Sequence, residues 1–561
     1  KADVQMSTYN HHWRSDSFEK ANEFSGLRTT TAQFGELNRN KLEAYGTYNK
    51  TIKDHSFSVM AGYSYQKDKN QSMEATVTGA SSDKVPTLTA GPNKKDAKSD
   101  FTEDVTIGYF GRLSYDFQKK YLFSATFRED ASSRFADGNR WGYFPSFSAA
   151  WRMSEEGFME NTKDWLNNLK VRGSWGLLGN QDALDDYYPW MNTYQLDATY
   201  PFGGSLNSGF YQKYYKLQTI SWEKARTWGL GLDATINNKI NLTVDYYDRK
   251  TTGIIMDVSV PKEFALEPYK DNVGEMLNRG VEVILSYNNK WGDWSFGATA
   301  NFSYNKNKLL DLGGVPSMAD PNNGNMYRAV GERVNSYYMY RTDGFFSSDA
   351  EAKAWMDKYS GQSGYPFGTA EFKGGDVIVQ DVNGDGKITE ADRDFCGSAD
   401  PSWAYGLNLN VGWKGFDLSM LFTGAAGGHI YLTNDGIGYF KGDDSHPASV
   451  WLDAWTPENT NAEWPRLFLE ENSISSPQRV NSSFWCMNTN YLRIKNVNFG
   501  YTLPKTWTSK LGIANAKIYY TGENLFTFDS LPFNADPESP SGNLDVYPIS
   551  RSHSFGINVT F

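Results

Sequence analysis

The stretch Phe555-Gly556-Ile557-Asn558-Val559-Thr560-Phe561 closes the sequence and indicates its fold class. Its apolar residues occupy every second position, so they share one face of an extended strand, while the glycine, asparagine and threonine share the other. An alternating strand that ends on an aromatic residue is typical of the last strand of an outer-membrane β-barrel. Any half-buried strand alternates, so the argument depends on the recurrence of this pattern along most of the chain.

The composition combines low hydropathy with many aromatic residues. The 561 residues have a mean hydropathy of −0.60, yet 16% of them are Phe, Trp or Tyr. In a membrane barrel only alternate residues face lipid, aromatic residues form girdles at both interfaces, and the lumen is wet. This combination therefore fits a barrel better than a globular core. No apolar run is long enough for a transmembrane helix.

Charge and cysteine content exclude other classes. The net charge of −11 argues against a nucleic acid partner, because nucleic acid binding needs clustered Lys and Arg. Cys396 and Cys486 are too few for a disulfide framework. We expect two free thiols, with a single bridge between them as the alternative. The first residues carry no signal peptide, so we expect that the chain has been processed or begins within a longer protein.

About fifteen segments show the alternation, each over roughly 10–13 residues, which is the length of a tilted membrane-spanning strand. We predict that they begin near residues 39, 54, 105, 120, 141, 168, 225, 240, 273, 292, 402, 416, 491, 514 and 550. Around Asn237-Asn238, for example, apolar positions alternate on both sides of a two-residue turn, as in a hairpin. The predicted fold class is all-β, a large antiparallel transmembrane β-barrel with long extracellular loops.

The connections between these segments alternate in length. Short turns are predicted near 50–53, 118–119, 237–239, 288–292 and 413–415, with moderate ones at 155–167 and 503–513. Longer connections are predicted at 67–104, 131–140, 179–224, 253–272, 306–401, 432–490 and 527–549. Bacterial barrels have short periplasmic turns and long outer loops, so a periplasmic C-terminus puts every long connection outside the cell. The alternative, a soluble sandwich or propeller protein, predicts shorter strands and no such sidedness.

Several segments resemble phrases that recur in one family of transporters. They are Arg128-Glu129-Asp130-Ala131-Ser132-Ser133-Arg134-Phe135, Leu169-Lys170-Val171-Arg172-Gly173-Ser174-Trp175-Gly176, Trp222-Glu223-Lys224, Asn278-Arg279-Gly280-Val281-Glu282, Tyr491-Leu492-Arg493-Ile494-Lys495-Asn496-Val497 and Gly522-Glu523-Asn524-Leu525-Phe526. With these phrases in this order, residues from about 105 to 561 resemble the barrel portion of SusC-like TonB-dependent transporters, the outer-membrane nutrient importers of Bacteroidetes.

The resemblance implies more than this sequence contains. It implies a 22-stranded barrel filled by an N-terminal plug, with a TonB-interacting segment ahead of the plug. Only about 15 to 18 strands are expected here. We therefore expect residues 1–561 to be the C-terminal portion of a transmembrane β-barrel, with Lys1 inside the barrel and the plug region absent from this chain. The resemblance also implies a bacterial outer-membrane location, a SusD-like lipoprotein partner, contact with TonB through the missing N-terminal region, and surrounding outer-membrane lipid.

Residues 381–392, inside the long extracellular loop predicted for 306–401, have the pattern of a calcium loop. The predicted ligands, at positions 1, 3, 5, 7, 9 and 12, are Asp381, Asn383, Asp385, the carbonyl of Lys387, Thr389 and Asp392. Gly386 stands at position 6, where the loop turns sharply. Position 12 is Asp rather than Glu, as in dockerin-like loops. We expect a structural Ca²⁺ that braces the loop; the alternative is a cluster of Asx-turns that orders the loop by itself.

No pattern indicates catalysis. No nucleophile stands beside a base, and the only histidine cluster is His11-His12. Adjacent residues on a strand point to opposite faces, so these two side chains are not expected to share a metal. We therefore expect no enzyme, and we assign no substrate-binding residues. The expected function is TonB-dependent import of a bulky nutrient, an oligosaccharide first. The alternatives are peptide import by the same family and a passive porin or structural adhesin.

The long connections are rich in aromatic residues that could stack on sugar rings or contact peptides. They include Tyr187-Tyr188-Pro189-Trp190, Tyr211, Tyr214-Tyr215, Tyr337-Tyr338, Tyr340, Trp451, Trp455, Trp464 and Trp485. Alternatively, these side chains pack loop on loop or contact a partner protein, because Tyr and Trp favour interfaces.

Overall fold

β-Strands make up most of the computed structural model, with two short α-helices among the described residues. In chain order the strands are β1 (Ala2–Glu19), β2 (Thr29–Ile52), β3 (His55–Thr78), β4 (Asn93–Phe117), β5 (Tyr121–Ser132), β6 (Trp141–Arg152), β7 (Leu166–Asn180), β8 (Tyr194–Phe202), β9 (Ser205–Gln212), β10 (Glu223–Ile236), β11 (Ile240–Val258), β12 (Tyr269–Trp291), β13 (Trp294–Leu312), β14 (Ser317–Asp320), β15 (Asn323–Ala329), β16 (Ser336–Tyr340), β17 (Thr342–Phe345), β18 (Val377–Val379), β19 (Arg393–Ser398), β20 (Trp403–Trp413), β21 (Phe416–Ala426), β22 (His429–Tyr431), β23 (Cys486–Asn488), β24 (Tyr491–Thr502), β25 (Asn515–Asp529) and β26 (Ser552–Thr560). The helices are α1 (Asp349–Tyr359) and α2 (Lys505–Thr508). No helix in the described part of the chain is both long and apolar enough to cross a membrane.

The structure describes residues 1–21, 27–182, 184, 187–191, 194–213, 217–258, 263, 266–320, 323–433, 448–467, 480–532, 535–542, 546–547 and 549–561. These residues divide into two compact units. The first unit comprises Lys1–Met153, Val171–Gly229 and Arg249–Glu275, and the second comprises Ser154–Lys170, Leu230–Asp248 and Met276–Phe561.

Sixteen of the strands form one large antiparallel sheet. Their order is β1-β2-β3-β4-β5-β6-β7-β10-β11-β12-β13-β20-β21-β24-β25-β26. The order follows the chain, so each strand lies beside its predecessor and the strands left out belong to long connections. This confirms the predicted all-β class and the expected number of strands. Smaller sheets are formed by β14-β15-β16-β19, β17-β18, β22-β23 and β8-β9.

All fifteen predicted starts fall within or next to strands of this sheet. The sixteenth strand, β1, was not predicted. Strands β2, β3 and β4 are also longer than expected, with 24, 24 and 25 residues. As a result most of the predicted connection 67–104 is wrong, because only residues 79–92 leave the sheet. The apolar alternation ends near Lys67 and Glu103, but backbone pairing between β3 and β4 continues beyond them.

The alternation of short and long connections is present in the structure. Residues 53–54, 118–120, 237–239, 292–293 and 414–415 make the short turns, close to their predicted positions. Gln118 and Lys119 both have positive φ, as do Asn237 and Asn238. Positive φ at both central residues is the type I′ geometry that matches the twist of paired strands.

The longest connection contains its own secondary structure. β13 continues to Leu312, so this connection begins at 313 rather than at the predicted 306, and it holds β14 to β19 and α1. At the start of α1 the hydroxyl of Ser348 accepts a hydrogen bond from the backbone N–H of Glu351. Two acidic residues in the first turn stabilise the helix by interacting favourably with its dipole. The connection is therefore a folded region rather than a simple loop.

The buried hydrophobic cores lie mainly in the connections and not along the sheet. One core in the second unit includes Met339, Leu432 and Trp485, and a second includes Phe346, Phe372 and Ile388. A third, in the first unit, includes Phe135, Phe144 and Trp222. In each unit the buried packing is thus concentrated in the connections, while many apolar side chains of the sheet are exposed.

Candidate functional site

In the first unit, neighbouring strands of the large sheet share an apolar face. Leu113 of β4 pairs with Val59 of β3 and with Ala125 of β5, so these side chains lie on one side of the sheet. Leu113 and Phe123 on this face are each 41% exposed. We call this side the apolar face. An extended apolar face with side chains this exposed has the character of a lipid-contacting surface.

In the second unit, aromatic residues cluster on the strands next to the short turns. The rings of Trp294 and Trp413 stack with centroids 5.3 Å apart, and those of Phe416 and Tyr501 lie 4.4 Å apart. Aromatic residues at strand ends form the interfacial girdles of membrane barrels, because one side of the ring is apolar while its edge tolerates water.

The opposite side of the sheet in the first unit, the polar face, carries ion pairs. Arg39 of β2 and Asp68 of β3 are paired partners, and the guanidinium donates to both carboxylate oxygens at 2.7–3.1 Å. Arg128 donates to both oxygens of Asp130 at 2.6 and 2.8 Å and also to the hydroxyl of Ser64. Sequence reasoning did not assign these residues a role, although charges at alternate positions of a strand were the available signal.

The polar positions of the second unit show the same chemistry. Lys170 donates to Asp233 at 3.0 Å, and Lys517 donates to Asp417 at 2.7 Å. Each pair joins two different strands of the sheet. A surface lined by matched charges and amides stays hydrated and can form hydrogen bonds with a polar ligand, which an apolar wall cannot do.

Several of the family-like phrases meet in the connections of the first unit. Phe135 is fully buried against Trp222, with ring centroids 5.2 Å apart. The indole N–H of Trp222 donates to the carbonyl of Arg140 at 2.9 Å. The neighbouring carboxylate of Glu223 accepts from the side chain of Asn180 and from the backbone N–H of Ile255, both at 2.9 Å. These contacts join the connections 133–140 and 181–222 to each other and link the ends of β7, β10 and β11.

Most of the predicted aromatic binding residues of the second unit are buried, whereas Tyr338 is half-buried against Tyr327 and Phe395. Their buried members are Tyr337, Tyr340, Trp451, Trp455, Trp464 and Trp485. Trp464 and Trp485 contact Trp451 with ring centroids 5.9 and 6.5 Å away. The alternative that aromatic side chains pack loop on loop therefore describes them, because a ring inside a core cannot stack on a ligand. Tyr214-Tyr215 lie outside the described residues.

Several aromatic residues of the 181–222 connection also contact other residues of the chain. The guanidinium carbon of Arg134 lies 4.5 Å from the ring centroid of Tyr187. The hydroxyl of Tyr188 lies 3.3 Å from both the backbone N–H and the carbonyl of Glu103, and the indole of Trp190 donates to the carbonyl of Ser133. Among the described members of this connection, Tyr211 is 41% exposed.

A buried arginine fastens the last connection to the sheet. Arg493 of β24 is 3% exposed, and its guanidinium pairs with Asp536 at 2.7 Å, with Glu538 and with the hydroxyl of Thr527. Lys495 donates to Glu538 as well, at 2.7 Å. We call residues 535–542 the strap. The acidic side chains of the strap are therefore held by two cationic side chains of β24, Arg493 and Lys495.

The predicted calcium loop is ordered by its own side chains. Asp381 accepts from the backbone N–H groups of Gly384 and Gly386, both at 2.8 Å. Asn383 accepts from Asp385, and Asp385 accepts from Lys387, in the i to i+2 pattern of Asx-turns. This is the framework that the alternative interpretation describes.

The donor set of the same loop nevertheless suits a hard cation. Asp392 is fully buried, and its oxygens accept hydrogen bonds from the backbone N–H groups of Val382, Asn383 and Thr389 and from the hydroxyl of Thr389. Each carboxylate oxygen has two lone pairs, so these hydrogen bonds leave acceptor capacity. Gly386 has a φ of +79°, the left-handed conformation that the sharp turn needs. Within the described residues no three acidic, His or Cys side chains are grouped as a metal site, so calcium binding stays a prediction.

Both cysteines are free and partly buried beside the core that contains Trp485. Burial raises the pKa of the Cys396 thiol to about 11 and that of Cys486 to about 12. The raised pKa means that the reactive thiolate is scarce near neutral pH.

We expect the thiols to resist labelling. At pH 8 roughly a quarter of an ordinary cysteine is thiolate, but only about a thousandth of Cys396 would be. Treating the folded protein with an aromatic disulfide reagent should therefore modify neither thiol within minutes, whereas both should react at once in denaturant. Immediate stoichiometric release of the reporter thiol from the folded protein would contradict the buried environment.

A family model described as "TonB dependent receptor-like, beta-barrel" matches residues 2–425. The chain belongs to this family. The match covers the strands of the large sheet from β1 to β21, whereas β24, β25 and β26 lie beyond it. The family resides in the bacterial outer membrane. It is a family of transporters and is not known to contain enzymes.

Curated relatives lead to the same family. The chain is 29% identical over 560 residues to TonB-dependent receptor P3 of Formosa agariphila, which covers 95% of this chain and 53% of that protein. It is 27% identical over 533 residues to TonB-dependent receptor SusC of Bacteroides thetaiotaomicron, covering 92% of this chain and 49% of that protein. The chain spans about half the length of these relatives.

A solved structure has the same fold. The RagAB peptide transporter matches the whole of this chain and 60% of its own, with a TM-score of 0.80 and 23% sequence identity. Identity at this level establishes the fold alone. Together with the family model and the relatives, it confirms the predicted SusC-like TonB-dependent barrel.

Proposed function

We propose that this chain forms the barrel of a transporter that actively imports a bulky nutrient, an oligosaccharide first, across the outer membrane. The observation that carries the proposal is the division of the sheet into two faces. On the apolar face, Leu113 and Phe123 are exposed as lipid contact would require. On the polar face, ion pairs such as Arg39–Asp68 offer a hydrated surface to a polar solute.

The likeness to SusC and the folded long connections support the proposed partners. A SusD-like lipoprotein would cap the extracellular mouth, and TonB would supply the energy. A periplasmic C-terminus would place the buried loop cores outside the cell, where they would offer a rigid docking surface. The barrel itself supplies the path and not the energy.

Growth and uptake in the native host test the proposal. A strain lacking the full gene should lose growth on at least one defined glycan, and a plasmid copy should restore it. Uptake of that glycan should also stop when TonB is deleted, since passive diffusion would continue without energy. Unimpaired growth of the gene deletion on every glycan would refute the sugar assignment, and uptake that survives TonB deletion would support a passive porin instead.

Peptide import is the second candidate, and one structural observation favours it. A solved structure of similar fold, with a TM-score of 0.80, is described as a peptide transporter. Pairs of opposite charges on the polar face would also suit a peptide, whose ends carry both signs. A deletion strain that grows on every glycan but fails on a mixture of oligopeptides would establish this alternative.

We further propose that residues 381–392 bind a structural Ca²⁺. The ligands would be the oxygen donors of Asp381, Asn383, Asp385, Lys387, Thr389 and Asp392. Support comes from the buried carboxylate of Asp392 and the left-handed Gly386. Gln362 donates to the carbonyl of Gly386 at 3.2 Å, so a bound ion would also tie this loop to the end of α1.

Calcium titration of the purified protein tests this site. The double variant Asp381→Asn and Asp385→Asn should lose one bound Ca²⁺ per chain in isothermal titration. At a hundredfold excess over Kd, calcium should stabilise the unmodified loop by about 2.7 kcal/mol, measured as slower proteolysis within 313–402. Asp357→Asn, on the exposed face of α1, is the control and should retain binding. Equal calcium binding by the double variant and the original protein would refute the site.

A further inference from the structure

Three aromatic side chains lie on one side of β1. Tyr9, His11 and Trp13 alternate with polar residues, so they point to the same face of the strand. The rings of Tyr9 and His11 are nearly parallel, at 9°, with centroids 6.1 Å apart. Tyr9 is 53% exposed, and His11 is exposed too, so these rings are not part of a core. We call the three residues the aromatic track.

Strand register places the track on the polar face. Tyr9 pairs with Arg39, which in turn pairs with Asp68. Directly opposed residues of neighbouring strands share a face, so Tyr9 lies beside the Arg39–Asp68 ion pair. Adjacent residues take the other face, where His12 stacks on Phe34 at 6.3 Å.

A glycine makes room for the last ring of the track. Trp13 pairs with Gly35, and a Cβ added to Gly35 would lie 2.2 Å from Cε2 of the indole. No side chain fits there, so the absence of a Cβ lets the indole lie against the backbone of β2. Gly35 is accordingly buried. The ring is held in position before any ligand arrives.

Groups that form hydrogen bonds flank the track on the same face. The register continues from Leu37 to Asn70 and from Gly35 to Ser72, which adds an amide and a hydroxyl to the Arg39–Asp68 pair. The two charges of that pair neutralise each other, so the surface favours a neutral ligand. Four residues of strand span about 14 Å, which is longer than one sugar ring.

We propose that the aromatic track is a binding subsite for neutral sugar rings. The C–H face of a pyranose would stack on Tyr9 and Trp13, and its hydroxyl groups would bond to Asp68, Asn70 and Arg39. This inference rests on the proposed function, since it names the substrate class and a place where the substrate is held.

Binding measurements with defined sugars test the subsite. The full-length transporter in detergent is titrated with maltohexaose, cellohexaose, xylohexaose and mannohexaose by calorimetry. For whichever sugar binds, Tyr9→Ala and Trp13→Ala should each weaken binding by about 2- to 10-fold, the range for one aromatic contact. Trp13→Phe should recover part of the loss. Phe34→Ala, at the same height on the other face, is the matched control and should stay within about twofold.

A second variant acts on the track without removing a ring. Gly35→Ala should displace the indole of Trp13 and weaken sugar binding to about the same degree as Trp13→Ala, with little further loss in the double variant. Sugar binding that is unchanged in Trp13→Ala and Gly35→Ala would overturn the subsite and leave the proposed function intact. Binding of a hexapeptide but of none of the four sugars would overturn the subsite and the sugar assignment together. The subsite is also overturned if no probe binds.

Discussion

Replacing Leu113 with arginine is expected to destabilise the protein in a bilayer by about 2–4 kcal/mol. Leu113 lies midway along the apolar stretch of β4, with Val59 and Ala125 beside it and 41% of its surface exposed. In lipid this exposed surface contacts acyl chains, where a guanidinium has neither water nor a counter-ion. Urea unfolding of protein refolded into phosphatidylcholine vesicles measures the loss, and the amount of protein in outer membranes should fall in parallel.

The neighbouring residue provides the control. Ser114 projects to the polar face between Ser58 and Ser124, where an open cavity of about 520 Å³ has room for a longer side chain. Ser114→Arg should therefore change stability by no more than about 0.5 kcal/mol. The comparison depends only on which face each residue occupies. Equal losses for the two variants would show that the faces have been assigned wrongly.

The sequence predicts the strands of the large sheet in which every second residue is apolar, as contact with lipid requires. Where every second residue meets an apolar surface, the two-residue period is strong, and all fifteen strands with that signal are present. β1 lacks a sustained alternation of apolar and polar residues, because the alternation is clear only at Val4 and Met6. Beyond Lys67 and Glu103, both faces of β3 and β4 carry polar residues, so the strands continue without a periodic pattern. The length of these strands is set by backbone hydrogen bonds, which do not require a pattern of apolar residues in the sequence.

The sites are harder to predict, because they depend on residues that are distant in sequence. The ring centroids of Trp464 and Trp485 lie 6.1 Å apart in one core. The sequence alone does not show whether a tryptophan in a long connection is buried in such a core or exposed to a ligand. The calcium pattern lies within twelve consecutive residues and so was visible at once. The aromatic track needed the register of three strands, since alternation alone does not show that Trp13 faces Gly35.

Removing the charge of Arg493 is expected to release the strap. In Arg493→Met the carboxylates of Asp536 and Glu538 lose their buried partner, and Thr527 loses a donor. Breaking a buried ion pair by removing one member typically costs about 3–5 kcal/mol, because the remaining charge is left without compensation. The cost should fall on the strap, which Arg493 joins to β24, rather than on the pairing of the sheet strands. Intact cells that display the protein can be treated with an endoprotease specific for glutamate. The protease should cut the variant at Glu538 much faster than it cuts the original protein.

A surface arginine shows what the same change does without burial. Arg14 pairs with Asp16 at 2.8 Å, but their side chains are 72% and 46% exposed. Arg14→Met should cost about 0–1 kcal/mol and leave cleavage at Glu538 unchanged, because water replaces the lost partner. In Arg493→Met, Lys495 remains 2.7 Å from Glu538 and keeps part of the attachment, so adding Lys495→Met should accelerate cleavage further. If cleavage is equally slow in all three variants, then the strap is held by its backbone and not by charge. Faster cleavage throughout the sheet strands would instead mean that Arg493 supports the barrel wall itself.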